Sequence, residues 1–350
     1  MQSSKFQFRS VCLLAIILSL IMSFSVFAQD TVPFGEPTEG EFTGDPTVYT
    51  VDATAGQLIV VRMESEAIDS YVSVEQDGKE LASDDDSGGY PDALLAYVAQ
   101  FDGTYDIVAT DGAYTPGEGA YMITIDVIDP SMVEQESSVT LEADAEGSPA
   151  LYAVFGAGAG DVVDVWATTT GEDDVEMTLY GVDGVQIESD DDDGYDNNAL
   201  IRRVILPKDG LYLVKVEQSW SDELLFEAVE VKIGASEQLY LSAEPQELVL
   251  GDAEGQIGTE VYTVDIEVGK TYRFIVTIES IPDEEAGIHM ELLDTAFFFS
   301  PDIDVQHSTG VTWDFLANSS GTIRLDVHPT FFGTDISSID YTIAMEVLEN

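Results

Sequence analysis

The chain has 350 residues, with 12 Lys and Arg against 68 Asp and Glu, a formal charge of −56 and one cysteine. A field of that sign repels nucleic acid and anionic lipid headgroups and attracts cations, which excludes DNA, RNA and bare membrane surfaces as partners. With a single cysteine no intrachain disulfide can form, so stability has to come from buried apolar surface or from bound ions.

Taken in chain order, the first segment carries Lys5 and Arg9, an apolar run from Val11 to Ile21, and the small-residue tail Ser25-Val26-Phe27-Ala28. This pattern predicts a secretory signal peptide over residues 1–28, cleaved after Ala28. Cleavage removes Cys12 and both early basic residues, and no later apolar run reaches the ~20 residues that cross a bilayer. The expectation is a secreted protein, extracellular or periplasmic, with no transmembrane anchor. Beyond the signal, three anchors recur. A tyrosine strand leads through a glycine into a second apolar strand: Tyr49 to Gly56 to Leu58, Tyr152 to Gly160 to Val162, and Tyr262 to Gly269 to Tyr272. Each third closes on an alternating segment, beginning at Tyr121, Phe226 and Tyr341. Period-two alternation between Gly, Asp and Asn turns reads as strand after strand, and no convincing amphipathic helix is present.

The middle of each third carries the most informative repetition. Asp69, Asp77-Gly78, Asp84-Asp85-Asp86, Asp92-Ala93-Leu94 and Gly103-Thr104-Tyr105 are answered by Asp174, Asp183-Gly184, Asp190-Asp191-Asp192-Asp193, Asn198-Ala199-Leu200 and Gly210-Leu211-Tyr212. The third copy is looser: Asp302-Ile303-Asp304 precedes Gly321 by the interval that separates Asp84 from Gly103, and Gly321-Thr322-Ile323 lacks the tyrosine. Such repetition predicts an all-β protein of three tandem β-sandwich units, residues 36–129, 136–234 and 244–350, with both Asp-Gly pairs as tight hairpin turns. The linkers fall near Asp129 to Glu136 and Gly234 to Pro245, giving three beads on a string.

These motifs in this order resemble the bacterial pre-peptidase C-terminal domain family. The resemblance covers the first two copies well and the third in part. It implies a secreted, jelly-roll-like β-sandwich, a module usually appended to extracellular peptidases and related to the collagen-binding modules of clostridial collagenases. Three modules and a signal fill the chain and leave no room for a peptidase.

Consecutive carboxylates on one loop repel one another, and a hard divalent cation with several oxygen ligands relieves that repulsion. Candidate metal ligands are therefore Asp69, Asp84, Asp85 and Asp86 in the first unit and Asp174, Asp190, Asp191, Asp192 and Asp193 in the second, with oxygens of Asp92 or Asn198 in support. The resemblance points the same way, since relatives hold calcium on such loops, and Glu36, Glu39 and Glu41 stand where residues at the start of the domain help. A solvating acidic coat is the alternative reading. The EF-hand pattern is absent, because the loop glycine is at the wrong offset and Leu95 stands where its last glutamate belongs. His289, His307 and His328 read as isolated histidines on strands, too few for a zinc site. No Gly-x-Ser-x-Gly elbow accompanies them, and the first two units contain no histidine for a Ser-His-Asp triad. Trp166, Trp220 and Trp313 read as core residues, and Phe297-Phe298-Phe299 as an interdomain contact or an exposed patch. The expectation is a non-catalytic binding or scaffold protein whose modules are stabilised by structural calcium, with an extracellular protein or polysaccharide as partner. The alternative is an accessory or pro-domain-like partner of a separately encoded secreted peptidase.

Overall fold

The computed structural model describes residues 35–113, 117–143, 150–169, 173–191, 198–219, 224, 226–241, 246–250, 259–280, 287–293, 302–306, 311–330 and 339–348. Of residues 246–250, 279–280, 304–306 and 329–330 it describes the backbone alone. Among these residues all regular structure is β. The first unit contains β1 (Thr38–Phe42), β2 (Thr47–Ala53), β3 (Leu58–Glu64), β4 (Ser70–Gln76), β5 (Lys79–Asp84), β6 (Ala93–Val98), β7 (Gly103–Asp111) and β8 (Gly119–Ile128). These form one sheet in the order β2-β7-β4-β5, here the front sheet, and another in the order β1-β8-β3-β6, the back sheet.

The second unit repeats this plan with β9 (Ser131–Met132), β10 (Ser137–Glu142), β11 (Ala150–Ala157), β12 (Val162–Thr169), β13 (Val175–Tyr180), β14 (Gln186–Asp190), β15 (Ala199–Ile205), β16 (Gly210–Gln218) and β17 (Ala228–Ala235). Its front sheet is β14-β13-β16-β11-β9 and its back sheet β10-β17-β12-β15. The third unit follows with β18 (Leu239–Tyr240), β19 (Gln246–Leu250), β20 (Glu260–Ile266), β21 (Thr271–Ser280), β22 (Gly287–Leu293), β23 (Asp302–Gln306), β24 (Val311–Leu316), β25 (Gly321–Thr330) and β26 (Ile339–Leu348). Here the front sheet is β18-β20-β25-β22-β23 and the back sheet β19-β26-β21-β24. Each unit is thus a β-sandwich of jelly-roll type whose strands cross back and forth between two sheets, apart from one hairpin within the front sheet.

Alternation decides which side chains fill each sandwich. Ile59, Val61 and Met63 of β3 meet Val72, Val74, Tyr105 and Ile107 of the front sheet, and Val163, Val165 and Ala167 meet Met177, Leu179, Tyr212 and Val214 in the second unit. The third core holds Phe274, Val276, Met290 and Leu325. Tyr49 and Tyr121 share a buried hydroxyl–hydroxyl hydrogen bond at 2.9 Å, and Tyr262 and Tyr341 repeat it at 2.5 Å. Tyr152 does not belong to this series. Ala153 pairs with Val214 as Tyr49 pairs with Ile107 and Tyr262 with Leu325, so Tyr152 is displaced by one residue and faces the other side of its sheet.

The second residue after the glycine that opens the seventh strand of the first unit, and its counterpart in the second, has a definite task. The Tyr105 hydroxyl donates to the Phe101 carbonyl at 2.7 Å and the Tyr212 hydroxyl to the Lys208 carbonyl at 2.5 Å, each tying a strand to the turn before it. Ile323 occupies that place in the third unit. The two Asp-Gly pairs also differ. Asp77 and Gly78, with φ of 54° and 73°, form the two-residue hairpin turn, whereas Gly184, φ 70°, closes a longer connection in which its N–H donates to the Gly181 carbonyl at 2.9 Å.

The units are docked and not loosely strung. Linker strands β9 and β18 add in parallel to the edges of β11 and β20, and Val133 and Leu241 donate their N–H groups to the Val154 and Thr263 carbonyls. Leu58 and Val98 of the first back sheet pack with Val154 and Leu213 of the second front sheet, with Tyr152 and Tyr180 beside them. The physical reason is that these strands carry apolar residues on both faces, which a freely solvated sheet would not.

Candidate functional site

Asp84 is the last residue of β5, and the acidic run that it opens crosses from the front sheet to the back sheet. One oxygen of its half-buried carboxylate, Oδ2, accepts from Leu94 N–H at 2.8 Å and Ser87 N–H at 3.1 Å, so it closes its own loop onto β6. Asp190 repeats this, its Oδ2 accepting from Leu200 N–H at 2.7 Å. Asp92 and Asn198, expected as supporting oxygen donors, are engaged in the same kind of work: Oδ1 of Asp92 accepts from Ser65 N–H at 2.9 Å and that of Asn198 from Thr169 N–H at 2.7 Å. A carboxylate or amide oxygen that satisfies a buried N–H removes a desolvation cost of about 1–3 kcal/mol, which gives these acids a structural role apart from any ion.

Asp85 and Asp86 are exposed at the tip. The Asp86 carboxyl lies above its usual range, through desolvation first and then the like charges of Asp85, Asp69 and Asp84. Asp69 therefore does come to the acidic run. Its carbonyl is held by Gly112 N–H at 2.8 Å, and its Oδ1 is a buried oxygen with no hydrogen-bond partner among the described residues. A cleft of about 610 Å³ opens beside it, lined by Asp69, Asp92, Asp111, Glu66 and the exposed Tyr90 among others.

In the second unit the Asp174 carbonyl accepts from Ser219 N–H at 3.0 Å, matching Asp69 and Gly112. The adjoining cleft, about 350 Å³, is lined by Glu176, Ser189, Asp190, Asp191 and Ser219, every one of them an oxygen donor. Asp192 and Asp193 lie outside the described residues. Among the described residues no three carboxylates or histidines are already grouped as the ligands of a metal ion. Glu176, Ser189, Ser219 and Asp111 escaped sequence reasoning, since each is a single polar residue at a strand end with no motif around it.

The third unit departs from the pattern by one residue. Asp84 pairs with Val72 and Asp190 with Met177, but the corresponding partner of Met290 is Ile303, a half-buried residue packed against the core. Asp302 and Asp304 flank that position and pair with Glu291 and His289. Equal spacing to the glycine is misleading because β25 meets Met290 in the usual register, Val327 lying as far beyond Gly321 as Ala109 beyond Gly103, while the connection from β23 to β24 is one residue shorter than that from β5 to β6, and a one-residue offset reverses the face.

Other expectations are corrected as well. Glu39 and Glu41 line a neighbouring cleft of about 790 Å³ that shares Ser65, Glu66 and Ala67 with the one beside Asp69, and Glu36 is exposed and lines neither. His289 and His328 are not isolated but face each other across β22 and β25, ring centroids 5.9 Å apart, with Thr259 Oγ1 2.7 Å from His328 Nδ1. Trp166 is not a core residue: it lies on the outer face of the second back sheet beneath the Lys232 ammonium, 4.4 Å away, and over the bare Cα of Gly234. Trp313 does pack against the third core beside Phe274. His307, Trp220 and Phe297 to Phe299 fall outside the described residues. Among those described, no helix is long and apolar enough to cross a membrane.

No protein-family model matches the chain, and no curated protein matches it. Solved structures similar to it include that of the Sulfolobus turreted icosahedral virus, 11% identical over 87% of this chain and 84% of that one, with a TM-score of 0.21. The structure described as the triple jelly roll fold and turret assembly in an archaeal virus is 10% identical over 90% and 89%, TM-score 0.20. The CUB1-EGF-CUB2 domain of human MASP-1/3 is 8% identical over 56% and 99%, TM-score 0.18.

Proposed function

We propose that the chain is a secreted, non-catalytic binding or scaffold protein whose first two modules are stiffened by structural calcium and present their edges to an extracellular protein or polysaccharide. The observation that carries this reading is the repeated acidic loop beside an oxygen-lined cleft, with the Asp69 Oδ1 oxygen buried and without a donor among the described residues. A buried carboxylate oxygen lacking any partner is costly, and a hard cation supplies what is missing. Asp69, Asp85 and Asp86 would hold the ion in the first unit, with Asp84 anchoring their loop. Asp174 and Asp191 to Asp193 would do so in the second, with Asp190 as the anchor. The cation neutralises the crowded charge and fixes the loop between the two sheets. Likeness of the motifs to pre-peptidase C-terminal domains supports both export and calcium. Ile303 in place of the anchoring aspartate leaves the third unit outside this scheme.

The test is thermal unfolding of the protein with calcium, with magnesium and with chelator, at fixed high ionic strength so that general screening is constant. A calcium-selective rise of the midpoint is expected from mass action. Superimposable curves would reduce the loops to a solvating coat.

A further inference from the structure

The chain joins its units twice through equivalent surfaces, and the chemistry of the two joints is opposite. At the first, Leu58, Val98, Val154 and Leu213 are 0–3% exposed, with Ala96 beside them. Gly184 sits so close to β5 that a Cβ there would meet the Ala82 Cβ at 2.5 Å. Gln100 adds hydrogen bonds to both the N–H and the carbonyl of Leu211, at 3.0 and 2.9 Å.

At the second joint three exchanges turn apolar contacts into charged ones. Ala96, opposite Val60, gives way to Arg202 and Arg203 opposite Asp164. The added residue is a bulge: Arg203 has φ +47°, and its N–H donates to Asp164 Oδ1 at 2.6 Å. Leu213 is replaced in the equivalent strand by Arg324, and Ala82 by Glu188. Arg202 Nη1 donates to Glu260 Oε1 at 2.6 Å, Arg203 Nη1 to Glu260 Oε2, and Arg324 both to Glu188 across the joint and to Asp326 Oδ1 at 2.5 Å within its own strand. A quarter of the chain's 12 basic residues are spent on this one contact.

Apolar burial couples two units directly, in proportion to the area it removes from water. Partly buried ion pairs roughly break even against desolvation, yet removing one partner strands the other and is strongly unfavourable. From this contrast we infer that the first two units form one rigid, cooperatively folded body and that the third is held to it by a charge latch, as a separable end able to swing away. The bulge is the device that makes the latch, because one inserted residue turns a single small side chain into two guanidiniums that clasp one carboxylate.

Calorimetry and small-angle X-ray scattering on the full chain test this. The parent is expected to melt in two transitions, the first two units together and the third apart. Glu260→Gln and, independently, Arg203→Gly, which suits the positive φ, should raise the maximum dimension while leaving the transition of the first two units unmoved. Leu213→Ser should instead split that transition in two. If the third-unit transition disappears in Glu260→Gln through misfolding, Arg203→Gly decides, since it alters the second unit only. A single transition for all three units, or scattering unchanged by Arg203→Gly, overturns the inference.

Discussion

Asp84 separates the structural from the ion-binding use of the acidic loop. Asp84→Ala removes the acceptor for Leu94 N–H, in a residue 4% exposed, and for Ser87 N–H. A hydrogen bond to a charged acceptor contributes about 1.5–3 kcal/mol when its donor is left buried, and the exposed Ser87 bond contributes less. The loss should be about 3 kcal/mol, or roughly 6–12 °C in midpoint for a block of two units. It should appear in chelator as fully as in calcium, because it involves no ion. Asp84→Asn keeps an oxygen for both donors and should lose less than half as much. Asp86→Asn is expected to behave oppositely: with chelator it relieves the repulsion from Asp85, Asp69 and Asp84 and leaves stability unchanged or higher, while with calcium it shrinks the calcium-dependent increment. Chemical denaturation of the four proteins, each with chelator and with calcium, gives all eight values. An Asp84→Ala protein that is fully stable in chelator would refute the assignment of Asp84 as loop anchor.

Three further outcomes follow from the geometry. Gly184→Ala should undock the first joint, since the new Cβ meets Ala82 and lies 3.2 Å from the Leu81 carbonyl, whereas Gly78→Ala meets nothing within 4 Å and should cost only the ~1–2 kcal/mol of its left-handed backbone; proteolysis of the linker reads the difference. Tyr262→Phe strands the Tyr341 hydroxyl in the core and should destabilise the third unit by about 1–3 kcal/mol in denaturant titration. Asp326 is raised by burial to about 6 despite the neighbouring Arg324. A folded pKa above the unfolded one means that the native state holds its proton more tightly, so this group stabilises the third unit below the ordinary carboxylate range and that contribution is lost as pH rises through about 6. The third-unit midpoint should therefore climb by the equivalent of about 2–3 kcal/mol as pH falls from about 8 to about 4, and Asp326→Asn should flatten that slope.

Much of the fold was written in the sequence because its signals are local. Gly56, Gly160 and Gly269 all adopt positive φ at the same turn, and alternation on either side of them chooses which residues face the core. The acidic loops were legible for the same reason, as was the loss of the tyrosine anchor at Ile323. What failed depended on register between strands, which no local pattern carries. Tyr152 looks like the partner of Tyr49 and Tyr262, yet it stands one position earlier in its strand, where Ala153 holds the equivalent place, and so it turns outward to serve the joint with the first unit. Asp302 and Asp304 looked like the third acidic loop, yet the ladder sets Ile303 at the anchoring place. Ala96 and the pair Arg202 and Arg203 stand at the same place in two aligned repeats, and the extra residue reads as a trivial insertion until the strand opposite shows that both arginines reach Glu260. In each case a one-residue offset, whether a tyrosine placed one position earlier in a strand, a residue lost from a connection or a residue gained as a bulge, puts a side chain on the other face. Because both faces of these sheets are used, one for a core and one for a neighbour, such a slip builds a joint here where in an isolated sandwich it would only expose a misplaced side chain.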